Sequence, residues 1–456
     1  MYKFLKRNKS NKLLTAIDIG SSKITCLIAE KPEDSNRLKV IGNGQNICKG
    51  FNLGNVTNID ELSDSIAKAV SSAEKMARAS INKAQIVLNG GKQFSASYNS
   101  ETTIINGEIS NNEINKIVSS CIHDASSSNY KILHALPIKF KIDESSPIKS
   151  PKGMVGHILK GEVNICKISE SVLSNIAKVV ERNHIDVESF ISSPLANGFS
   201  CLLPEEKSLG SVIVDFGASS TGVGVYYDNN LIYSFDIPLG GQNITKDVAT
   251  GLATSLTEAE RIKVLHGNLY NSSFSSDELI NIANVDRTDP NSFQTVSIGI
   301  VNEIVKARVS EIFEFIENHL KKTPYFHILK SKVVFTGGSS QIAGLAEFST
   351  NYLSKHSRIS NPSRLEGLPD AAYNPNFASV IGALLTLEEE SLFQNNISNL
   401  NEKLNSFQRF YQWLSANIWG QKMNKIILVN NNLIRSIKKS EIIKFTLNIT
   451  KGDKHA

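Results

Sequence analysis

The 456-residue chain is 41% hydrophobic with a net charge of +5. That is enough sequence for two large domains with their own cores, and too small a basic excess to point to a nucleic-acid partner. Five scattered cysteines (Cys26, Cys48, Cys121, Cys166, Cys201) show no CxxC or Cys/His spacing and no run of about 18 apolar residues occurs, which argues against a zinc site and a transmembrane helix and for a reducing cytoplasm.

In chain order, the basic start Met1–Lys9 is followed by no apolar signal core. Residues 13–30 read as a hairpin around an Asp18–Gly20 turn, and 38–57 as further strands and Gly-rich turns. A helix follows, with Asn58 and Glu61 as a capping box and Leu62, Ile66, Ala69, Val70, Ala73 and Ala77 on one face. From Ala84 the texture changes. A strand at Ile86–Leu88, a Ser110-x-x-Glu113 helix start and strand-rich stretches Lys131–Ile142 and Val155–Ile168 suggest a small inserted α+β unit over 84–168.

A helix with Val172, Ile176 and Val180 on one face resumes the main pattern and leads, through Pro194–Leu203, to a second hairpin at 212–222. A helical region runs from Asn243 to a Gly267 cap. Residues 268–296 read as polar loop, and Val301, Ile304, Val305, Ile312 and Ile316 as a helix face. Strand Lys332–Thr336 ends in Gly337–Gly338 and is followed by a helix through Ile342, Leu345 and Phe348; a last domain helix spans 377–388.

The two hairpins carry the chemistry. Ile17–Asp18–Ile19–Gly20–Ser21–Ser22–Lys23 and Val214–Asp215–Phe216–Gly217–Ala218–Ser219–Ser220 lie 197 residues apart and repeat one pattern: an apolar strand, Asp, a Gly two positions on, then small hydroxylated residues. Turns of this composition bring backbone N–H donors close to phosphate oxygens. Asp18 and Asp215 are hard oxygen ligands suited to Mg²⁺, held through water. Gly337, Gly338 and Ser339 suit close approach of a purine or ribose, whereas no GxxxxGK[ST] P-loop is present. A single Asp-x-Gly would be an ordinary turn, and Glu260 with Lys263 alone would be an ordinary i,i+3 surface pair. Two hairpins and a strand–Gly–Gly turn in this order point to a nucleotide cleft.

Beyond an Asn-rich linker at 391–403, Leu404, Phe407, Phe410, Tyr411, Leu414 and Ile418 fall on one helical face, with Arg409 and Trp413 beside it. The pattern fits either a helix packed on the domain or one lying in a membrane interface. Residues 420–456 alternate basic and apolar stretches and suggest no role.

Over residues 12–390 the chain resembles the FtsA family of actin-like bacterial cell-division proteins, within the actin, sugar-kinase and DnaK-type ATPases. The two hairpins match the family's phosphate-1 and phosphate-2 motifs. Thr336–Gly337–Gly338–Ser339–Ser340–Gln341–Ile342–Ala343–Gly344–Leu345 matches its adenosine motif, and Ala259–Glu260–Arg261–Ile262–Lys263–Val264 its adenosine-side helix. The insertion, with His134–Ala135–Leu136–Pro137 and Gly153–Met154–Val155–Gly156, resembles the family's own subdomain 1C. The resemblance implies an α/β actin-like two-domain ATPase fold with subdomain 1A at 12–83 and 169–195, 1C at 84–168, 2A at 196–240 and 333–390, and 2B at 241–332. ATP and Mg²⁺ would be held by Asp18, Gly20, Ser21, Ser22, Lys23, Asp215, Gly217, Ala218, Ser219, Ser220, Glu260, Lys263, Gly337, Gly338 and Ser339, with Asp18 and Asp215 on the metal side.

The resemblance further implies a peripheral protein on the cytoplasmic face of the inner membrane at the division site. Helix 404–419 would be the membrane anchor through Phe407, Arg409, Phe410, Tyr411, Trp413, Leu414 and Ile418. The FtsZ C-terminal peptide would bind over 241–332, near Arg308; the chain would polymerise head to tail and recruit later division proteins through 1C. Ala218 departs from a glycine-richer family turn, and no catalytic base is identifiable, so at most slow ATPase activity is expected. A PilM-like pilus-assembly adaptor and a small-molecule kinase are the rival readings on the same fold.

Overall fold

The computed structural model describes residues 13–31, 38–105, 107–270, 278–283, 293–353 and 356–395. The helix expected at 404–419 and the tail 420–456 lie outside the described residues. The chain forms two compact units: a larger one containing residues up to Ser97, Ser126–Leu136 and Asn164–Leu392, and a smaller one containing Tyr98–Ala125 and Pro137–Val163.

In chain order the elements are β1 (Leu13–Ile19), β2 (Lys23–Glu30), β3 (Lys39–Ile47), the short pair β4 (Phe51–Asn52) and β5 (Asn55–Val56), α1 (Ile59–Ala77), β6 (Lys83–Leu88), β7 (Phe94–Thr103), α2 (Asn111–Ala125), β8 (Tyr130–Ile142) and β9 (Ile158–Ser169). Then come α3 (Glu170–Glu181), β10 (Asp186–Ser192), α4 (Ser193–Cys201), α5 (Pro204–Leu209), β11 (Ser211–Phe216), β12 (Thr221–Tyr227), β13 (Asn230–Ile237), α6 (Gly241–Gly251) and α7 (Leu256–His266). The chain continues through β14 (Leu279–Ala283), β15 (Phe293–Ser297), α8 (Ile298–Lys321), α9 (Phe326–Ser331), β16 (Val333–Thr336), α10 (Leu345–Tyr352), β17 (Ser357–Ile359) and α11 (Ala378–Asn395).

The larger unit repeats one sheet twice. Strand order is β10-β6-β1-β2-β3 in the first, and the second contains the corresponding order β17-β16-β11-β12-β13 as the first five strands of an eight-stranded sheet. In each, a central strand pairs in parallel on one side (β1 with β6, β11 with β16) and antiparallel with its hairpin partner on the other. The repeat seen in sequence at the two Asp motifs therefore extends to five strands of each sheet. Central strands such as β11 are buried along their whole length, which is why they read as continuous apolar runs rather than alternating ones.

Helix α1 covers the first sheet through Leu62, Ile66, Ala69, Val70 and Ala73, packed with Ile17, Ile19, Ile24 and Ile28. It lies almost on the backbone of β3: a Cβ on Gly44 would fall 1.9 Å from the Ala69 carbonyl oxygen. Asn58 caps its start, with Oδ1 accepting from the N–H groups of Asp60 and Glu61, but the box expected with Glu61 does not close, because Asn58 N–H donates to the Gly50 carbonyl at 3.1 Å.

In the smaller unit α2 buries Ile114, Ile117, Val118 and Cys121. Ser110 donates through both N–H and Oγ to Glu113, at 3.0 and 2.5 Å.

Several local expectations are corrected. The strand containing Ile86–Leu88 is a member of the first sheet between β1 and β10, although the texture change was placed at Ala84. The helical region from Asn243 is two helices, α6 and α7, interrupted at 252–255. Gly267 follows α7 in an extended conformation (φ −63°), not the left-handed one of a glycine cap. Glycine is needed there for space, since a Cβ would lie 2.4 Å from the Lys263 carbonyl oxygen. The stretch read as polar loop contains the antiparallel pair β14–β15, whose first strand is the short β-prone run Leu-Ile-Asn-Ile-Ala. After Gly337 the chain makes one 3₁₀ turn, Gly338–Gln341, and α10 begins only after the left-handed Gly344. Helix α11 runs to Asn395, five residues into the stretch read as linker.

Candidate functional site: a cleft between two Asp hairpins

Each Asp ends a central strand, and each following Gly closes the same tight turn. Gly20 N–H donates to the Lys23 carbonyl and Gly217 N–H to the Ser220 carbonyl, both at 3.1 Å. The two turns face each other, with Ser21 Oγ and Ser219 Oγ 2.5 Å apart. Between them Asp18, Gly20, Ser21, Ser22, Lys23, Asp215, Gly217, Ala218, Ser219, Ser220, Gly337 and Gly338 line a chamber of about 90 Å³.

That chamber adjoins a wider cleft of about 910 Å³, lined by Ser21, Ser22, Ala218, Thr245, Glu260, Lys263, Gly338 and Ser339 among others. Ser21, Ser22, Ala218 and Gly338 line both spaces, so the two are continuous. All fifteen residues expected to bind nucleotide line one space or both.

Burial raises the Asp18 carboxyl to about 7, with Asp215 adding to the rise and Lys23 opposing it. Asp215 is also raised by burial, while the polar side chains of Ser193, Asn197 and Ser379 pull it back. Lys23 is lowered by burial and stands 4.8 Å from the centre of the Phe377 ring. Two poorly solvated carboxylates beside one another constitute a site that gains by taking up a cation.

Among the described residues no group of three or more His, Cys, Asp or Glu side chains is placed to hold a metal. The donor set is thus two carboxylates, which suits a hard cation completing its shell with water and phosphate oxygens. The backbone supplies the cradle. Gly337 has φ +84°, and a Cβ on it would fall 2.4 Å from Asp215 Oδ1 and 2.7 Å from the Phe216 carbonyl oxygen.

Glu260 and Lys263 are more than a surface pair. The Lys263 side chain is only 10% exposed, and its Nζ donates to Glu260 Oε2 at 2.7 Å, Thr245 Oγ1 at 2.9 Å and the Gly241 carbonyl at 3.2 Å. Thr245 in turn donates to Glu260. Ser339 Oγ donates to the Gly217 carbonyl at 2.8 Å, tying the Gly337–Gly338 turn to the second hairpin.

Ala218 needs no glycine conformation, since its φ is not positive. Its carbonyl accepts from Gln242 N–H at 2.7 Å, at the start of α6. Arg308 is away from the cleft lining and engaged within the chain. Its guanidinium pairs with both oxygens of Asp247, at 2.5 and 2.9 Å, and with Glu311.

Sequence reasoning missed Asn89. It follows β6, whose Val87 pairs with Asp18 as Thr336 pairs with Asp215, so Asn89 holds the register position of Gly338 in the other half and the Asn89–Gly90–Gly91 turn begins one residue later than Gly337–Gly338. Asn89 Nδ2 donates to Asp215 Oδ2 at 3.2 Å, and Gly90 and Gly91 both have positive φ. The legible signal was a strand ending in Asn–Gly–Gly, the same punctuation that marked Thr336–Gly337–Gly338. Asn376 and Ser379 also line the chamber without any sequence pattern to announce them.

The chain is similar to known proteins. Residues 212–382 match the family model "Cell division protein FtsA", and residues 90–167 match "SHS2 domain inserted in FTSA". The cell division protein FtsA of Bacillus subtilis is 31% identical over 366 residues, covering 80% of this chain and 82% of the relative. The chain belongs to the FtsA family. The FtsA of Rhizobium meliloti is 29% identical over 421 residues, covering 89% and 95%.

Among solved structures, the chain is similar in fold to one in a PilM–PilN type IV pilus biogenesis complex (TM-score 0.58, 14% identity, 82% and 97% covered). It is similar also to MreB5 of Spiroplasma citri bound to ADP (TM-score 0.53, 11% identity, 85% and 99% covered). At those identities the likeness is one of fold, and the fold is that of the actin-like ATPases. This FtsA-family chain is an actin-like cell-division protein with a nucleotide-binding fold.

Proposed function

We propose that the cleft binds ATP with Mg²⁺ and that nucleotide binding governs assembly of this FtsA-family protein. The observation that carries the reading is the meeting of two equivalent Asp–x–Gly turns, 197 residues apart in sequence, at a hydroxyl–hydroxyl separation of 2.5 Å. Gly20–Lys23 and Gly217–Ser220 would receive the phosphates, and Asp18 and Asp215 would hold Mg²⁺ through its water shell. Glu260, Lys263 and Gly337–Ser339 would receive the adenosine. A bound cation supplies charge neutralisation for the phosphates; the chain's own turns orient them. MreB5, of the same fold, has been solved with ADP.

At the level of the cell, the protein would polymerise head to tail and bind the FtsZ C-terminal peptide over 241–332. Helix 404–419 would attach the polymer to the cytoplasmic face of the inner membrane at the division site. Later division proteins would dock on subdomain 1C, and the subdomain limits given above for 1A, 2A and 2B serve as the working division of the chain. Burying one large apolar side chain is worth roughly 1.5–3 kcal/mol, so a single interfacial helix anchors reversibly, and a filament carrying many anchors binds by avidity.

Capture of an FtsZ C-terminal peptide, with a PilN-type peptide as control, tests the partner. Retention of the pilus peptide instead would favour the adaptor reading. Fluorescent ATP with and without Mg²⁺ tests the cleft, and phosphoryl transfer to a panel of sugars would expose a kinase.

A further inference from the structure

The tip of the small hairpin β4–β5 touches the cleft from outside the expected motifs. Leu53 N–H donates to Ser219 Oγ at 3.0 Å. On its other side the Leu53 carbonyl accepts from Gly91 N–H at 3.0 Å, and Gly91 belongs to the Asn–Gly–Gly turn next to Asp215. Leu53 is held at φ +51°, a left-handed conformation that costs a branched side chain free energy and persists only where neighbours over-determine it. Gly54 beside it has φ +77°, with room for no side chain: a Cβ would lie 2.0 Å from the Gly91 nitrogen.

The contact leaves the serine pair with a spare proton. Ser21 and Ser219 have two hydroxyl protons between them. One is used in their mutual bond at 2.5 Å. Leu53 N–H feeds a third donor into the pair, occupying a lone pair of Ser219. One O–H is therefore left to donate, and both serines line the small chamber. Chains of this kind polarise one another and strengthen the terminal donor. Ser219 lines the small chamber but not the wide cleft, whereas Glu260, Lys263 and Thr245 line only the wide cleft. A nucleotide with its base among the latter therefore brings its terminal phosphate, an acceptor, to the serines.

We propose that Leu53 is a positioning residue: its backbone, pinned between Ser219 and Gly91, orients the Ser219–Ser21 hydroxyl pair to donate to the terminal phosphate, so that the β4–β5 tip distinguishes a nucleoside triphosphate from a diphosphate. The inference rests on the cleft being a nucleotide site. Two readouts separate the two claims.

The first needs no nucleotide. In the full chain, hydrogen exchange at the Leu53 amide is slow in wild type and at least tenfold faster in Ser219→Ala, while Ser219→Thr, which keeps a hydroxyl, restores protection. A Leu53 amide that exchanges alike in wild type and Ser219→Ala overturns the relay. The second is the ratio of ATP to ADP affinity. Ser219→Ala and Gly54→Ala lower it about tenfold by weakening ATP alone, and Ser219→Thr and Leu53→Gly retain it. Equal weakening of both nucleotides in Ser219→Ala overturns discrimination by the tip, because a purely structural role would move both. Gly54→Ala displaces the tip and tests the same point without altering a chamber residue; should it fail to fold, Ser219→Ala decides alone. Wild type binding neither nucleotide would refute the cleft as a nucleotide site while leaving the exchange result standing.

Discussion

Gly337→Ala and Gly338→Ala are adjacent changes of one methyl group with very different expected costs. Gly337 sits at φ +84°, ψ 165°, a region open essentially to glycine, where a side chain costs about 1–3 kcal/mol in backbone strain. Its Cβ would also meet Asp215 Oδ1 at 2.4 Å and two atoms of the Phe216 peptide at 2.7 and 3.0 Å. Phe216 is buried in a central strand and cannot yield, so overpacking adds about 1–3 kcal/mol. The total is about 2–6 kcal/mol, a large share of the stability of an ordinary domain.

Gly338 has no positive φ, and its Cβ would meet only the end of one side chain, Asn376 Oδ1, at 2.6 Å. Asn376 can turn away, at about 1 kcal/mol or less. Urea unfolding of the full chain with a far-UV readout should therefore show a much lower midpoint for Gly337→Ala and a near-wild-type midpoint for Gly338→Ala. The Gly337 variant should also lose Mg·ATP binding, because its methyl displaces Asp215. Equal midpoints for the two variants, or full Mg·ATP binding by Gly337→Ala, would refute the reasoning.

The half-buried Asp18 carboxyl, raised from 3.8 to about 7, makes the folded state bind more protons than the unfolded one between those values. Stability from this group is therefore lost as pH rises from about 4 to 7, and a bound cation offsets the loss. The rise in melting temperature on adding Mg·ATP should be larger at pH 8 than at pH 6, and a pH-independent increment would count against the two-carboxylate site. Arg308 is expected to serve the FtsZ peptide only by leaving Asp247. Arg308→Ala should weaken peptide capture about tenfold, whereas Asp247→Asn, which loosens the arginine, should preserve or improve it. Parallel losses in both variants would mean that the pair is structural. Deleting 404–456 should abolish pelleting with anionic vesicles, and a polymerisation-defective variant should pellet poorly at low concentration. Undiminished pelleting by that variant would rule out avidity as the source of tight attachment.

The features readable from the chain alone are those that depend on local chemistry. Asp18–Gly20 and Asp215–Gly217 were legible because tight turns between buried strands leave few residue choices, and an apolar run ending in Asp stands out against a polar chain. The cap at Asn58 and the Ser110–Glu113 box were legible for the same reason. Weaker local signals were present but overruled by their surroundings: the run Leu279–Ala283 is short and sits within a polar stretch, and Gly251 with Ser255-x-x-Glu258 marks the break between α6 and α7 inside a segment that reads as one helical region.

Tertiary structure alone decided the rest. That Lys263 is enclosed by Thr245 and Gly241, that Arg308 is already paired with Asp247, and that Asn89 reaches Asp215 are contacts between residues 18 to 126 positions apart, which no local pattern records. The same holds for Leu53, which reaches Ser219 across 166 positions. Its neighbour Gly54 looks in sequence like any turn glycine. Only the close approach of the Gly91 backbone shows why no other residue fits, because the space a side chain needs is set by the fold and not by its neighbours in the chain.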